Sequence, residues 1–363
     1  MTYSRSERCW VWLSALKGMT PRKFYALLSV AEDPENVFDS PSDFLPYLDD
    51  KLGKELMANR SEETVDALFE KMERLSVTAL IRTGDAYPSS LHYISDPPPT
   101  LFMRGSMDLN ALLKPFAVVG TRMPTYDGRK AAGEFVRSLT EQGVTVISGL
   151  ARGIDTCAHT ACLDAGGHTV AVLGNGLSSV YPPENEALAQ RIIESGGCLL
   201  SEMRLEDAPS RWSFPARNRI IAGLSEGVLV IEGKITSGSL ITASHALDGG
   251  KEVFAVPGGI YSPLSAGPNR LIQDGAHCAL TPRDVLETMH WAETAKEKRV
   301  PSKLPDMDEN ELKIYNCVKN EAKSFDELLE DTGFTVSELN CHLTMLLLRS
   351  IIIKLPGNIY RAS

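Results

Sequence analysis

The middle of the chain alternates between short apolar runs and segments with helical spacing. From Phe116 to about Met289, the apolar runs are rich in β-branched residues, which is typical of strands covered on both faces. The predicted strands are 116–120, 144–148, 168–173, 198–201, 227–231, 252–256 and 277–280, and the predicted helices are 127–141, 155–165, 184–195, 215–224, 239–247 and 282–289. The pattern predicts an α/β fold with an extended Rossmann-like, doubly wound parallel sheet, in which ligands bind at the carboxyl ends of the strands.

Apolar positions in residues 1–78 also follow helical spacing. Apolar residues such as Trp10, Leu13 and Leu16 recur at helical intervals, and Gly18 and Pro21 interrupt the helix. This helix–turn–helix pattern predicts a small N-terminal helical domain of the SAM or helix-hairpin-helix type. Packing against the next domain is favoured over direct contact with DNA.

The C-terminal segment has a different pattern, with helical spacing at 309–319, 324–332 and 335–350. An alternating run at 351–355, a turn at 356–358 and a short run at 359–360 follow. Three helices followed by a hairpin predict a winged-helix-like domain. Its third helix has a single basic residue, Arg349, and 6 Lys and Arg against 10 Asp and Glu give residues 305–363 a net charge of −4. Protein contact or simple packing is therefore favoured over reading of duplex DNA.

Two segments rich in proline or charge are predicted to be links. Pro lacks the N–H group and fixes φ, so 96–99 cannot lie inside a helix and predicts a rigid surface link. Residues 291–305 are polar, charged and contain proline, which is typical of a linker. The predicted divisions are an N-terminal helical domain at 1–78, the Rossmann domain at 79–290, the linker at 291–305 and the winged-helix-like domain at 306–363.

Composition limits the classes of function. The 363 residues carry a net charge of −10, so DNA binding would have to rest on a few Arg and Lys in one groove together with backbone N–H groups. The chain has no apolar run of about 18 residues and no signal-peptide pattern, so we expect no membrane contact. Its seven cysteines never follow C-x-x-C spacing, which indicates reduced thiols in the cytoplasm and no zinc site.

A candidate anion site lies in residues 145–155. An apolar run ends at Ser148-Gly149, a turn of small residues follows, and a helix is predicted to begin near Asp155 as its N-cap. A strand, a glycine turn and a helix together form a common anion site, because the first N–H groups of the helix point at the ligand. This stretch alone fits a free nucleotide as well as the backbone of a nucleic acid.

Short turns made of small residues, each with one polar side chain, recur after most of the predicted strands. If these turns converge at one edge of the sheet, they line a crevice with N–H and hydroxyl donors suited to phosphates. The turns are Gly120-Thr121-Arg122, 148–153, 174–176, 237–240, 257–259 and 267–270.

A second signal comes from residues 211–224, where three arginines are interleaved with aromatic residues. Guanidinium groups bind phosphates through two hydrogen bonds, and an exposed aromatic ring can stack on a base. The alternative is that Arg217 and Arg219 pair with carboxylates and that Trp212 and Phe214 belong to the core. The residues alone favour neither interpretation.

Common catalytic and cofactor motifs are absent from the sequence. There is no P-loop, no G-x-G-x-x-G, no H-E-x-x-H and no G-x-S-x-G, so we expect no cofactor, no metal and no enzymatic activity. His159 is expected to be structural. Asp155, Glu202 and Glu232 could act as acid or base, but their spacing identifies no pair.

The motifs taken together resemble the DNA-processing protein A family (DprA, also called Smf) over about residues 80–290. The matching segments are 120–122, 148–155, 214–223, 237–243, 256–258 and 269–272, in this order. The resemblance implies an extended Rossmann fold that binds single-stranded DNA, protects incoming DNA and loads the recombinase RecA in natural transformation. It also implies a homodimer.

The resemblance also implies roles for individual residues. Arg122, Ser148, Gly149, Gly153, Ser237 and Gly238 would form the phosphate pocket, Arg211 would be a second basic contact, Phe214 would lie near a base, and Arg217 and Asn218 would support the pocket. The full set of expected DNA-binding residues is Gly120, Thr121, Arg122, Ser148, Gly149, Ala151, Arg152, Gly153, Arg211, Phe214, Arg217, Asn218, Arg219, Lys234, Ser237, Gly238, Lys251 and Asn269. The chain departs from the family at Gly233-Lys234, where an alanine-rich segment is more usual.

Two other functions are considered. A nucleotide-processing hydrolase of the N-ribohydrolase type is the main alternative, because Pro257-Gly258-Gly259 resembles part of a P-G-G-x-G-T turn, although Ile260-Tyr261-Ser262 follows here. A transcription regulator acting through the winged helix is the other.

Overall fold

The computed structural model describes residues 3–292, 307–319, 321–349, 351–355 and 357–362. The chain forms two compact units, Met1–Thr294 and Ala295–Ser363. From residue 293 onward, the predicted linker lies outside the described residues. Within the described ranges, no helix is both long and apolar enough to cross a membrane.

The first unit begins with short helices, most of which start at a side-chain cap. Ser4, Thr20, Asp33, Asp49 and Ser61 each accept a hydrogen bond from a backbone N–H in the first turn of the helix that follows. The helices are α1 Arg5–Ser14, α2 Pro21–Ala31, α3 Pro34–Asp39, α4 Pro41–Phe44, α5 Asp50–Asn59 and α6 Glu62–Arg74.

Two strands that the sequence analysis did not predict follow these helices. β1, Val77–Ile81, pairs antiparallel with β2, Thr100–Gly105, and β2 continues antiparallel into the main sheet. The predicted surface link at 96–99 is wrong. Pro98 and Pro99 are buried, and their carbonyls accept hydrogen bonds from the Tyr87 hydroxyl at 2.7 Å and the Trp10 indole at 2.8 Å.

The main sheet confirms the predicted Rossmann-like architecture. Its further strands are β3 Phe116–Val119, β4 Val146–Ser148, β5 Thr169–Val172, β6 Cys198–Ser201, β7 Gly227–Val230, β8 Glu252–Ala255 and β9 His277–Cys278. The order is β1-β2-β6-β5-β4-β3-β7-β8-β9, parallel from β6 to β9. Because the chain leaves β3 towards β4 and later returns to its other side as β7, the crevice of a doubly wound sheet opens at the carboxyl ends of these three strands.

Helices cover both faces of the sheet, as the apolar strands require. They are α7 Tyr126–Glu141, α8 Ile154–Asp164, α9 Glu186–Glu194, α10 Ser213–Leu224, α11 Gly238–Asp248, α12 Ala266–Gln273 and α13 Pro282–Thr288. Alternate residues of β3 point to opposite faces: Ala117 and Val119 join the core under α10 and α11, whereas Phe116 and Val118 join the core under α7, α8 and α13. The N-terminal helices share a third core with strands β5 and β6.

The second unit consists of three helices and a three-stranded antiparallel sheet. Its elements are α14 Glu309–Val318, β10 Lys323–Ser324, α15 Phe325–Thr332, α16 Val336–Leu348, β11 Ile352–Leu355 and β12 Ile359–Ala362, with strand order β10-β12-β11. Ile314, Leu328, Leu339 and Ile352 are among the side chains of its core. The predicted helices and hairpin are present, and their assignment as a winged helix stays a prediction.

Candidate functional site

A cleft of about 520 Å³ opens at the carboxyl ends of β3, β4 and β7. The loop after β3, the start of α10 and the start of α11 form its walls. The structure brings together here more than half of the residues expected from the sequence. These are Gly120, Thr121, Arg122, Ala151, Arg211, Phe214, Arg217, Asn218, Ser237 and Gly238.

Arg122 and Arg211 supply the accessible positive charge of the cleft. Both side chains are exposed. Neither guanidinium forms an ion pair with a carboxylate in the part of the chain that the structure describes. The Arg122 guanidinium carbon lies 4.9 Å from the centre of the Phe214 ring, a cation–π distance that fixes the arginine at the rim. Two unpaired guanidinium groups beside one cleft favour an anionic ligand.

Arg217 lies beneath the cleft and is buried, with 4% of its surface exposed. Its guanidinium donates to the carbonyls of Gly149, at 2.7 Å, and Val172, at the ends of β4 and β5. Burial lowers the pKa of Arg217 to about 10, and the nearby Asp155 carboxylate opposes this shift. Gly149 leaves room for the guanidinium, because a Cβ there would lie 2.4 Å from it. Arg217 therefore holds two strand ends together and supports the floor of the cleft.

Asp155 does not have the role expected for it, that of N-cap to the helix after β4. It is not the N-cap of α8, because that position belongs to Gly153, whose φ of +83° favours glycine. Instead, the Asp155 carboxylate accepts hydrogen bonds from the N–H groups of Gly149, at 3.1 Å, and Ala151, at 3.4 Å. Burial raises the pKa of Asp155, and the charge of Arg217 acts in the opposite direction. Two N–H groups of the predicted anion site, those of Gly149 and Ala151, thus bind the chain's own carboxylate.

The other expected residues do not line the cleft, for reasons that are visible in their contacts. The Ser148 hydroxyl donates to the Val118 carbonyl at 2.7 Å, and Arg152 pairs with Glu184. Arg219, 8% exposed, forms an ion pair with Glu202, whose side chain is also 8% exposed. The expected residues outside the cleft are Ser148, Gly149, Arg152, Gly153, Arg219, Lys234, Lys251 and Asn269.

Lys251 lies before β8, at the amino-terminal edge of the sheet and opposite the cleft. Its ammonium donates to the carbonyls of Ala222, at 2.7 Å, and Gly223, at 2.6 Å, near the end of α10. Burial lowers its pKa to about 8. Lys251 therefore caps a helix C-terminus instead of contacting a ligand in the cleft.

Asn269 and Lys234 also stay outside the cleft. The Asn269 side chain exchanges two hydrogen bonds with the backbone of Gly258, at 3.1 and 2.9 Å, and so ties α12 to the loop after β8. Lys234 is exposed in the loop after β7, beyond the lining residues.

Glu232 fixes the loop that carries Arg122. Its carboxylate accepts hydrogen bonds from the backbone N–H of Thr125, at 2.9 Å, and from the Thr125 hydroxyl, at 2.6 Å. Its backbone carbonyl accepts from the N–H of Thr121 at 2.6 Å. Gly128 leaves space for this carboxylate, since a Cβ there would lie 2.3 Å from Oε2. Glu232 is thus engaged in structure and not placed as a free acid or base.

His159 is buried below the cleft and is structural, as expected. The Thr169 hydroxyl donates to the Val146 carbonyl at 2.7 Å, so it accepts its second hydrogen bond, also 2.7 Å long, from Nδ1–H of His159. Burial, together with the charge of Arg217, lowers the pKa of His159 to about 3. The imidazole is therefore neutral.

Further lining residues were missed from the sequence. Ser239 and Thr242 extend the polar wall formed by Ser237, and their spacing of three along α11 could have indicated a shared face. Ser210 directly precedes Arg211. Tyr181 comes from the loop between β5 and α9, and no local pattern indicates that this loop reaches the cleft.

Comparison with protein families gives one match that spans the sheet domain. A model of the family described as DNA recombination-mediator protein A matches residues 78–290. Protein Smf of Escherichia coli (strain K12) is 41% identical over 286 residues, which cover 77% of this chain and 75% of that protein. DNA processing protein DprA of Bacillus subtilis (strain 168) is 38% identical over 251 residues, which cover 67% of this chain and 84% of that protein.

Among the solved structures similar to this fold are two of DNA processing protein A. The X-ray structure of DNA processing protein A from Streptococcus pneumoniae superposes with a TM-score of 0.68 at 35% identity, covering 79% of this chain and 98% of that one. A structure of DNA processing protein A from Helicobacter pylori, which concerns its single-stranded DNA binding mode, gives a TM-score of 0.54 at 28% identity. It covers 59% of this chain and 95% of that one.

Proposed function

The chain belongs to the DNA recombination-mediator protein A family, and on that premise we propose that its cleft binds single-stranded DNA in natural transformation. One observation carries the proposal: Arg122 and Arg211 stand exposed and without a carboxylate partner in the described structure, and both line one cleft at the switch point of the sheet. Most other arginines of the expected site are already paired with the chain's own acceptors. The unpaired guanidinium groups are the ones suited to DNA phosphates.

The form of the nucleic acid follows from what accompanies the arginines. Trp212 stands exposed beside the cleft, and an exposed aromatic ring can stack only on a base that is not paired in a duplex. A net charge of −10 disfavours nonspecific attraction to any nucleic acid, so binding has to rest on local contacts in the cleft. The relative from Helicobacter pylori, whose structure concerns single-stranded DNA binding, supports the same conclusion.

The proposal extends to the partners and the mode of action. The protein would act in the cytoplasm as a homodimer that protects the strand and loads RecA onto it, without catalysing a reaction. The family of recombination mediators supports this role. The hydrolase alternative is disfavoured, because Glu232 and Asp155 are hydrogen-bonded to backbone N–H groups and the Pro257-Gly258-Gly259 turn does not line the cleft.

The primary test is a binding titration of the full-length protein with an oligothymidine and with a duplex of equal length, at several salt concentrations. We expect tight, salt-dependent binding of the single strand and weak binding of the duplex. Equal affinity for both, or binding to neither, would refute the assignment. The RecA step is tested separately by filament formation on strands coated with this protein, and failure to speed filament formation would refute that part alone.

A further inference from the structure

We propose that Trp212 is a base-stacking subsite directly outside the cleft, where it holds one unpaired base of the bound strand. The inference rests on the proposed single-strand binding and adds a site to it. It starts from the state of the two aromatic residues at the beginning of α10, Trp212 and Phe214.

Phe214 is poorly available for stacking. The guanidinium of Arg122 lies over its ring at 4.9 Å, and the Tyr181 ring lies 5.8 Å away at an interplanar angle of 39°. Its edge packs so closely on Gly174 that a Cβ there would lie 2.8 Å from Cδ1. Phe214 is therefore already engaged by Arg122 and Tyr181 in this structure, and the contact with a base expected for it stays a prediction.

Trp212 is in the opposite state. Its side chain is 67% exposed at the N-cap position of α10. The indoles of Trp10 and Trp12 are buried and donate to the carbonyls of Pro99 and Asn59, at 2.8 and 2.9 Å. Trp291 is partly buried, with its ring 5.7 Å from that of Phe116. Trp212 is thus the one tryptophan of the four in the chain with its surface open to a ligand.

The cation beside Trp212, and its repetition in two other loops, favour a nucleotide as the ligand. Trp212 follows Arg211, and two other loops at the same edge of the sheet repeat the pattern of an exposed cation followed by an exposed apolar side chain. They are Arg122-Met123 and Lys234-Ile235, with Met123 82% and Ile235 63% exposed. A cation for the phosphate next to an apolar surface for the base matches the alternating chemistry of a single strand. A protein partner would not require a cation at each step.

The test uses the intrinsic fluorescence of the full-length protein. In the free protein, acrylamide should quench the emission of the exposed Trp212. Oligothymidine should quench the same emission and should reduce the further quenching by acrylamide, because a stacked base covers the indole. Trp212→Leu should abolish the quenching and weaken binding of oligothymidine by about 5-fold to 150-fold. Trp212→Phe should restore most of the affinity. An abasic strand of equal length, which offers phosphates alone, should bind the Leu variant as tightly as it binds wild type.

Each outcome has a defined meaning. Unchanged affinity and quenching in Trp212→Leu would overturn the subsite, and so would an equal loss of affinity for the abasic strand. Normal strand binding with a loss of RecA delivery would instead make Trp212 a protein contact and would also overturn it. If wild type binds no single strand at all, the proposed function fails before the subsite is tested.

Discussion

The cleft has two layers of arginine that differ in their surroundings. Arg122 and Arg211 are exposed at its rim and unpaired within the described structure, whereas Arg217 and Arg219 are buried below and beside it. Arg217 donates to backbone carbonyls and Arg219 pairs with Glu202. The same residue type therefore builds the site in one layer and is free to bind a ligand in the other.

This difference shows that the number of arginines in a motif does not indicate how well the motif binds phosphate. A buried guanidinium is tolerated only when its N–H groups are satisfied, and satisfied N–H groups are no longer available to DNA. Removing a buried arginine should thus change stability first, and removing an exposed one should change DNA binding first. Four predictions test this contrast.

The largest expected effect is that of Arg217→Leu on stability. Loss of the guanidinium removes the main positive charge near the buried Asp155 carboxylate, together with the donor to the carbonyls of Gly149 and Val172. We expect the free energy of unfolding to fall by about 3–5 kcal/mol, measured by urea denaturation. Arg211→Leu, at the exposed end of the same segment, should change it by no more than about 0.5 kcal/mol. Equal effects of the two variants would remove the distinction between the layers.

The next effect is a dependence of stability on pH that originates in the buried layer. The pKa of His159 is about 3 in the folded protein and near 6.5 when unfolded, so unfolding takes up a proton between these values. The stabilising contribution of the neutral His159 is fully present above about pH 6.5. Below that pH the free energy of unfolding falls, by up to about 1.4 kcal/mol per pH unit. Urea denaturation at pH 5.5 and 7 measures it.

His159→Asn is the matched control for this pH dependence, because Asn keeps a donor for Thr169 and does not titrate. Asp155 contributes the opposite slope, since burial raises its pKa. The difference between variant and wild type at each pH therefore isolates His159. An identical pH dependence in both proteins would show that this imidazole does not titrate on unfolding.

A smaller effect is expected from Glu232→Gln, which changes the support of the exposed layer. The substitution removes a negative charge near the proposed phosphate site, and by charge alone it would strengthen DNA binding. Because Glu232 holds Thr125 and so the loop of Arg122, we expect single-strand affinity to fall instead, by roughly threefold to tenfold. Glu184→Gln makes the same change of charge away from this loop and should bind at least as tightly as wild type. Tighter binding by Glu232→Gln would refute the positioning role.

The sequence predicted the central sheet well because its strands are continuous apolar runs, such as Phe116–Val119 and Gly227–Val230. β2 was missed because it follows three prolines and pairs with partners far along the chain. Lys251 could have been excluded from the site by sequence alone. It precedes a parallel strand and must lie at the edge opposite the ligand.

The division of the arginines could not have been predicted. Residues 217–224 of α10 are all buried, so the helix shows no polar face that would distinguish Arg217 and Arg219 from exposed residues. Asp155 was misassigned for a related reason. An acidic residue at a helix start fits an N-cap, and only the fold shows Gly153 in that place with the carboxylate turned back to Gly149.

The most direct test of the two layers is the salt dependence of single-strand binding in three variants. If Arg122 and Arg211 each contact one phosphate, Arg122→Ala and Arg211→Ala should each flatten the slope of log K against log salt by about 0.7. Lys251→Ala, which removes a cation at the opposite edge of the sheet, should leave the slope as in wild type. Unchanged slopes in both arginine variants, or an equal flattening in Lys251→Ala, would contradict the assignment of DNA binding to the exposed layer of the cleft.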